Sequence, residues 1–356
     1  MTRPLLAAVG LIFAAQSYAF AQGASSSSVQ DIARSPTAPT APWMQKFEGS
    51  TLDLSTYVGS GSFYVSGYRN PYASLAVFFR PSYKLGTRYK LALRARFYLE
   101  EELTKPDTEN GRRFYPYDPW VWLAADNLKT FERSKIRIAG MVRTILPLSY
   151  ESLYSHLLFA IGGGPSVNRD FTLGQVNDEN RKWTLRLTWL SVFMKYFHSS
   201  DFRGDGPGDT TGCLAPSSGG GGGYGSGGAP TGAESDHCGG PANTNFAFGN
   251  TFLASLTRGK WSGMVSLYIS NAFKYSFPSD VLTADNAALT GRQDMTWGII
   301  SLSRELRPHL SIAAGIASLQ PALDSRYRYP RFPFWDFSGA NFNNYSQIFL
   351  SLSGSL

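Results

Sequence analysis

Residues 89–103 read YKLALRARFYLEEEL, and apolar and polar side chains alternate along this stretch. One face holds Tyr89, Leu91, Leu93, Ala95, Phe97 and Leu99. The opposite face holds Lys90, Arg94, Arg96, Tyr98, Glu100 and Glu102. Successive side chains of a β-strand point to opposite faces of its sheet, whereas a helical face repeats about every 3.6 residues. The stretch therefore predicts a long strand with one apolar face and one charged face.

The same alternation recurs along most of the chain and predicts an antiparallel, all-β protein of about twelve strands. Single-chain bacterial membrane barrels have an even number of strands, so ten and fourteen are the alternative counts. The predicted strands are 57–68, 73–85, 89–104, 119–132, 136–146, 156–168, 182–199, 244–257, 261–277, 294–304, 310–320 and 344–356.

The C-terminus has the alternating pattern in its clearest form. One face holds Ile348, Leu350, Leu352 and Leu356, and the other holds Gln347, Ser351, Ser353 and Ser355. This run resembles the C-terminal assembly signal of bacterial outer-membrane β-barrels, with Leu356 in place of the usual Phe. The resemblance concerns the architecture of the whole mature chain, and it implies that the barrel-assembly machinery inserts the protein.

The N-terminus predicts export. Arg3 precedes the apolar run Leu5–Ala15, which is shorter than the ~20 residues of a membrane-spanning helix. The sequence Ala19-Phe20-Ala21 fits a signal peptidase site, so we expect a signal peptide over residues 1–21. Residues 22–56 are predicted to be a periplasmic flexible linker, since most of this segment is rich in Ser, Ala, Thr and Pro. An uncleaved helical anchor is the alternative.

The lengths of the connections predict which end of the barrel faces outwards. The short links at 86–88, 133–135, 258–260 and 305–309 alternate with long links at 105–118, 200–243, 278–293 and 321–343. Outer-membrane barrels have short periplasmic turns and long extracellular loops. We therefore expect a transmembrane antiparallel up-and-down β-barrel over residues 57–356, surrounded by the outer-membrane lipids of a Gram-negative bacterium. A secreted β-sandwich or lipocalin-like barrel, with its apolar faces inside, is the alternative.

The polar faces of the predicted strands would line the lumen. The expected lumen-lining residues are Arg80, Lys84, Lys90, Arg94, Arg96, Glu100, Glu102, Arg137, Arg143, Arg186 and Lys274, with Asp126 as a further acid. Rings of Arg and Lys favour anions, so we expect a channel or uptake barrel for small polar, anionic solutes. Such a lumen resembles that of the small twelve-stranded porins that pass acidic oligosaccharides. The alternative is a plugged barrel, closed by a network of Arg94 and Arg96 with Glu100 and Glu102.

Two loops carry further patterns. The Gly-rich loop 200–243 contains Cys213 and Cys238, and we expect a disulfide between them because export leads through an oxidising compartment. A barrel that only displays such loops is a third class of function. Residues 326–335, RYRYPRFPFW, alternate basic and aromatic side chains. They could contact anionic lipid headgroups or stack on a sugar, but packing across the barrel mouth is the preferred interpretation.

One pattern points to catalysis instead. His198 and Ser200 resemble the His-x-Ser arrangement of outer-membrane phospholipase A and the lipid A deacylases, in which His is the base and Ser the nucleophile. This chain has Asp201 where those families have Asn, and the alternation of strand 182–199 directs His198 and Ser200 towards the lumen instead of the lipid. Because of the His-x-Ser pattern, a lipid hydrolase is kept as an alternative to the channel.

The composition excludes several other classes. Charged residues make up 17% of the chain and aromatic residues 14%, unlike a disordered protein or a coiled coil. Two cysteines and four histidines give no candidate metal centre, and no cofactor is expected. The net charge is +7. Nucleic-acid binding is not implied, because the basic residues are interleaved with apolar ones along strands instead of forming a patch.

Overall fold

In the computed structural model of the chain, residues 45–63, 71–86, 89–104, 114–174, 182–200, 243–275, 291–323, 329–337 and 345–356 are described. They form fourteen strands and a short helix, α1 (Tyr150–Tyr154). No helix in this described part is long and apolar enough to cross a bilayer. The strands are β1 Thr51–Gly59, β2 Ala73–Arg80, β3 Ser82–Gly86, β4 Leu91–Glu102, β5 Phe114–Pro116, β6 Trp120–Phe131, β7 Ile136–Ile145, β8 Leu157–Leu173, β9 Trp183–His198, β10 Thr244–Arg258, β11 Trp261–Lys274, β12 Arg292–Arg307, β13 Leu310–Pro321 and β14 Ser346–Ser355.

These strands form one closed antiparallel barrel with twelve strand positions. β1 pairs with β14, which closes the sheet between the two ends of the chain. β2 and β3 both pair with β4 and share one position, because Pro81 between them has no backbone N–H for the ladder. β5 and β6 also both pair with β4, and together they occupy the next position. The predicted fold class and strand number are confirmed.

The first strand lies earlier than predicted. β1 begins at Thr51, whereas the sequence pattern predicted a strand at 57–68 and a linker through residue 56. The buried, inward positions of β1 are Thr51, Asp53, Ser55, Tyr57 and Gly59, and the exposed positions are Leu52, Leu54 and Thr56. The alternation in hydrophobicity is lost in its second half, because the polar Thr56 faces outwards and the aromatic Tyr57 faces inwards. The barrel includes the end of the segment predicted to be a linker, and residues 22–44 lie outside the described residues.

The outer surface of the barrel is apolar. In β4, Phe97 is 41% exposed while the neighbouring Arg96 is 0% exposed. The same contrast holds around the barrel, where outward-facing exposed residues include Leu54, Leu75, Leu93, Leu123, Val142, Ile161, Trp189, Phe252, Val265, Leu302 and Leu350. A soluble barrel would bury this face in a core. The soluble alternative is therefore wrong, and the exposed apolar band is the surface that a transmembrane barrel presents to lipid.

The two ends of the barrel differ as the link lengths predicted. The tight connections, together with Thr51 and Ser355, lie at one end, here called the short-turn end. Five of its connections contain a residue with a positive φ: Lys90, Lys135, Gly174, Gly259 and His309. The connection after Leu173 is the longer exception at this end. The opposite end, here called the long-loop end, carries the segments between β1 and β2, β4 and β5, β7 and β8, β9 and β10, β11 and β12, and β13 and β14.

Candidate functional site: the barrel lumen

The lumen near the short-turn end is lined by paired charges. Arg80 pairs with Asp53, and Arg94 holds Asp126 through two bonds, one of them Nη1 to Oδ1 at 2.9 Å. The Nε of Arg186 donates to Oδ1 of Asp170 at 2.6 Å, and Arg137 lies 3.9 Å from the same carboxylate. The predicted basic residues are therefore balanced by more acids than the sequence analysis assigned to the lumen.

Two of these acids were missed for an identifiable reason. Asp53 lies in the segment predicted to be a linker, and Asp170 lies in a segment predicted to be a loop after residue 168. The alternation does continue through both positions, between Leu52 and Leu54 and from Asn168 to Asp170. A strand assignment extended by this parity would have found them.

Further into the barrel, two guanidinium groups stack on one indole ring. The Cζ of Arg96 lies 4.2 Å from the ring centroid of Trp120, and the Cζ of Arg143 lies 4.4 Å from it. All three side chains are buried. The Nε of Arg143 also contacts the Sδ of Met194 at 3.1 Å. We call Arg96, Trp120 and Arg143 the arginine–tryptophan layer.

Apolar and aromatic side chains from β6 to β13 surround this layer. They meet across the barrel as one buried cluster that includes Trp122, Ile145, Leu190, Met194, Tyr196, Tyr268, Trp297, Ile299 and Leu319. Trp120, Trp297, Tyr268 and Met194 are each less than 2% exposed. A side chain lining a water-filled pore would be accessible to water. At this level, therefore, these side chains are packed together and are not accessible to water.

A second group lies between the arginine–tryptophan layer and the long-loop end. Glu100 accepts hydrogen bonds from the hydroxyls of Tyr98 at 2.6 Å and Tyr117 at 2.9 Å, and also from Tyr72. The ring of Tyr98 is stacked between Phe78 at 4.3 Å and Tyr117 at 4.2 Å. The hypothesis of an Arg–Glu network does not describe these contacts, because Glu100 is held by tyrosines and Arg94 by Asp126.

The remaining predicted lumen residues lie near the two ends. Lys84 in β3 pairs with Glu48 and is about half exposed. Lys90 lies exposed in the turn before β4. Lys274 is the last residue of β11, where its N–H donates to the carbonyl of Gly291 at 2.8 Å. Glu102 is buried at the end of β4. The structure therefore brings Arg96 and Arg143 together and leaves Lys84, Lys90 and Lys274 away from the centre.

His198 and Ser200 lie at the long-loop end, after the main length of β9. The Nδ1 of His198 lies 2.8 Å from the carbonyl oxygen of Ser155, and its Nε2 lies 3.0 Å from that of Thr244. Both ring nitrogens thus lie within hydrogen-bonding distance of backbone oxygens. The Nδ2 of Asn243 donates to the carbonyl of Ser200 at 2.8 Å, which ties the segment to the rim.

Other predicted features have no described geometry or lie elsewhere. Cys213 and Cys238 lie outside the described residues, so their disulfide stays a prediction. The described part of the 321–343 segment lies against the outer wall of the barrel instead of across its mouth. Among the described residues, no group of three or more His, Cys, Asp or Glu side chains is arranged to hold a metal ion.

No model of a protein family matches the chain. No curated protein matches it either. Among solved structures, an outer-membrane channel from Pseudomonas putida F1 is 10% identical, with a TM-score of 0.47, over 90% of this chain and 100% of that one. The transport unit of the autotransporter AIDA-I from Escherichia coli is 9% identical, with a TM-score of 0.34, over 92% and 96%. The outer-membrane protein OpdK from Pseudomonas aeruginosa is 8% identical, with a TM-score of 0.26, over 86% and 98%.

The class of the protein follows from the barrel itself. It is closed, antiparallel and even-stranded, it is apolar outside, and it carries charged side chains inside. Lipid leaves no water to satisfy backbone groups, so a closed barrel is the only sheet that can span a membrane. The chain is a transmembrane β-barrel of the bacterial outer-membrane class.

Proposed function

We propose that this barrel is an outer-membrane channel or uptake barrel for small polar, anionic solutes, closed at the arginine–tryptophan layer in the described conformation. The observation that carries the proposal is the stacking of Arg96 and Arg143 on Trp120 inside the barrel. With this function we also propose the outer membrane of a Gram-negative bacterium as its location, signal cleavage after Ala21, and insertion by the barrel-assembly machinery.

The burial of two arginines is the first argument. Removing a charged group from water costs several kcal/mol even after relaxation, and a barrel that needed only a filled interior could use apolar side chains. Ionisable groups at membrane depth are therefore functional candidates by default. Two cations on one ring repel each other, and an anion that binds next to them would offset that repulsion.

The wet half of the lumen is the second argument. The side chains of Arg137 and Asp170 are 41% and 34% exposed, so water reaches the charged residues between the short-turn end and the arginine–tryptophan layer. Their ion pairs leave this vestibule close to neutral. Selectivity for anions would therefore come from Arg96 and Arg143, the buried cations of the arginine–tryptophan layer.

Passage requires the cluster around Trp120 to move. The ring of Trp120 contacts both arginines and belongs to the buried aromatic cluster, so its rotation would open the layer. Side-chain rotations of this kind need no rearrangement of the barrel wall, in which each strand from β6 to β13 is paired with its neighbours.

The experiment is solute uptake by vesicles that contain the refolded protein. Arg96→Gln and Arg143→Gln should each lower the entry of a small organic anion about tenfold, which corresponds to ~1.4 kcal/mol, and leave a neutral sugar of the same size unaffected. The matched control is Arg304→Gln. Arg304 also stacks on a tryptophan, Trp261 at 5.2 Å, but on the outer face. Equal entry of anions in all three variants would contradict the proposal.

The packed interior supports a second candidate, a closed barrel that displays its loops. In that case the cluster of Trp120, Trp297, Tyr268 and Met194 is a permanent core, and no variant of the layer should admit solute. The vesicle assay separates the two candidates, because a loop-display barrel gives no uptake of any solute by the unmodified protein.

A further inference from the structure

Residues 329–337, here called the strap, lie on the outside of the barrel near the long-loop end. The strap follows β13 and precedes β14, and it covers the outer face of β12, β13 and β14. The backbone N–H of Asp336 donates to the Oγ of Ser346 at 2.6 Å, and that hydroxyl donates to the Oγ of Ser318 at 3.2 Å. Gln320 donates its side-chain amide to the carbonyl of Phe332.

The wall beneath the strap differs from the rest of the outer surface. Its outward-facing residues there are Gly298, Ser318, Gln320 and Ser346, which are small or polar and buried by the strap. A Cβ at Gly298 would overlap the carbonyl oxygen of Pro333, so the backbone of the strap rests directly on β12. Lipid could not satisfy these polar groups, whereas the strap backbone bonds the hydroxyl of Ser346 and the side-chain N–H of Gln320.

The strap is fastened at both ends. The N–H of Arg331 donates to the carbonyl of Ala322 at 2.9 Å, and its Nε donates to the carbonyl of Leu323 at 3.0 Å. The Nη1 of Arg331 lies 3.5 Å from the Oδ1 of Asp336, and the Cζ of Arg331 lies 5.4 Å from the ring centroid of Tyr345. Burial raises the pKa of Tyr345 above its ordinary value, so that phenol remains neutral beside the ion pair. The strap is therefore a fixed part of the wall.

The outward surface of the strap is aromatic. Phe337 is 76% exposed, Tyr329 is 69% exposed and Phe332 is 55% exposed. The ring centroid of Phe332 lies 5.8 Å from that of Phe337 and 5.7 Å from that of Phe334. The rings of Phe332, Phe334 and Phe337 form one patch, since Phe332 contacts the other two at distances typical of aromatic pairs, and Tyr329 is a further exposed ring of the strap.

This patch continues the apolar band of the barrel. The exposed Ile300 and Ile348 follow the strap-covered Gly298 and Ser346, respectively, by two residues. At a rise of about 3.3 Å per residue, the covered positions lie only ~7 Å from the lipid-facing isoleucines. The strap therefore covers a polar part of the wall with an aromatic surface, at the edge of the apolar band that is nearer the long-loop end.

We propose that Phe332, Phe337 and Tyr329 of the strap form a lipid-contacting surface that anchors the barrel in the interfacial region of the leaflet at the long-loop end. Aromatic side chains are favoured at this depth because their rings suit both acyl chains and headgroups. The partner is the lipid bilayer itself. The proposal is independent of whether the lumen conducts.

Spin-label accessibility in vesicles of phosphatidylcholine and phosphatidylglycerol tests this surface. In a background with Cys213→Ser and Cys238→Ser, a nitroxide is attached at Phe332→Cys, Phe337→Cys and, as a second site if either fails to fold, Tyr329→Cys. Leu350→Cys in β14 is the lipid-facing control, and Arg133→Cys in an exposed turn is the aqueous control. Relaxation is measured with oxygen and with a water-soluble nickel complex.

The expected result is that the strap labels collide more with oxygen than with nickel, as the label at residue 350 does. Their depth should lie between that of residue 350 and the headgroups. Two results would overturn the proposal. Labels as accessible to nickel as the label at residue 133 would mean that the strap faces water, as a soluble sugar ligand would require. Labels shielded from both reagents would mean that the patch packs against protein, such as a second copy of the chain.

Discussion

At the scale of single residues, Asp118 joins two elements at the long-loop end. Its Oδ1 accepts from the N–H of Leu148 at 2.9 Å and of Ser149 at 2.7 Å, and its other oxygen accepts from the hydroxyl of Ser152. Ser149 in turn caps α1 by accepting from the N–H of Ser152 at 3.1 Å. One carboxylate therefore holds the segment between β7 and β8 against the start of β6.

We expect Asp118→Ala to lower the free energy of unfolding by about 1–3 kcal/mol, because partly buried donors lose their acceptor. Urea unfolding of the protein in lipid vesicles, followed by tryptophan fluorescence, measures the change. Glu132→Ala is the control, since Glu132 is exposed in the short turn after β6 and its loss should change stability by less than ~0.5 kcal/mol. Equal unfolding midpoints for the two variants would show that the contacts of Asp118 do not stabilise the rim.

The alternation of residue types was enough to place Arg96 and Arg143 on inward faces. It could not show that both stack on Trp120, because the ring that receives a guanidinium depends on side-chain conformations and on the register of β4, β6 and β7. The role of Glu100 was missed for the same reason. Its tyrosine partners come from the segment before β2, from β4 and from the segment after β5.

At the scale of elements, β8 approaches β9 through glycines. A Cβ at Gly164 would overlap the carbonyl oxygen of Ser191, and a Cβ at Gly162 would overlap that of Phe193 and the sulfur of Met194. Glycine in a strand normally weakens it, and a close approach of another backbone is one reason for its presence. Gly162 and Gly164 therefore let β8 lie against β9 next to the buried cluster.

Gly164→Ala should prevent the barrel from closing normally, because the obstacle is backbone and cannot rotate away. We expect the variant to lose the heat-modifiable band of the folded barrel on electrophoresis. Gly263→Ala in β11 is the matched control, since its added Cβ would meet nothing within 4 Å. A folded band for Gly164→Ala as strong as that of the control would contradict the close approach described for β8 and β9.

The position of most strands could be predicted because one face of each meets lipid, so hydrophobicity itself alternates. β1 was misplaced because the contrast of Leu52 and Leu54 with Asp53 spans few residues, and Thr56 outside and Tyr57 inside then reverse it. The break at Pro81 was not predicted, since the alternation continues across it. The strap was placed at the mouth, because its aromatic residues give no indication of which side of the wall they cover.

At the scale of the whole molecule, the chain forms a closed barrel whose two ends differ in the length of their connections. The sequence predicted this asymmetry because link lengths follow directly from strand positions. Whether the lumen is open could not be predicted. It depends on whether inward-facing rings from distant strands, such as Trp120 in β6 and Trp297 in β12, reach one another across the barrel.

The most direct test of the channel is single-channel conductance in planar bilayers, with the reversal potential measured in a salt gradient, for the refolded protein and for Trp120→Ala. Removing the ring leaves Arg96 and Arg143 in place and opens the layer between them. We predict rare, anion-selective openings for the unmodified protein and a steady, larger anion-selective current for Trp120→Ala. No current from either protein, with both folded and inserted, would contradict the account and show that the lumen is a permanent core.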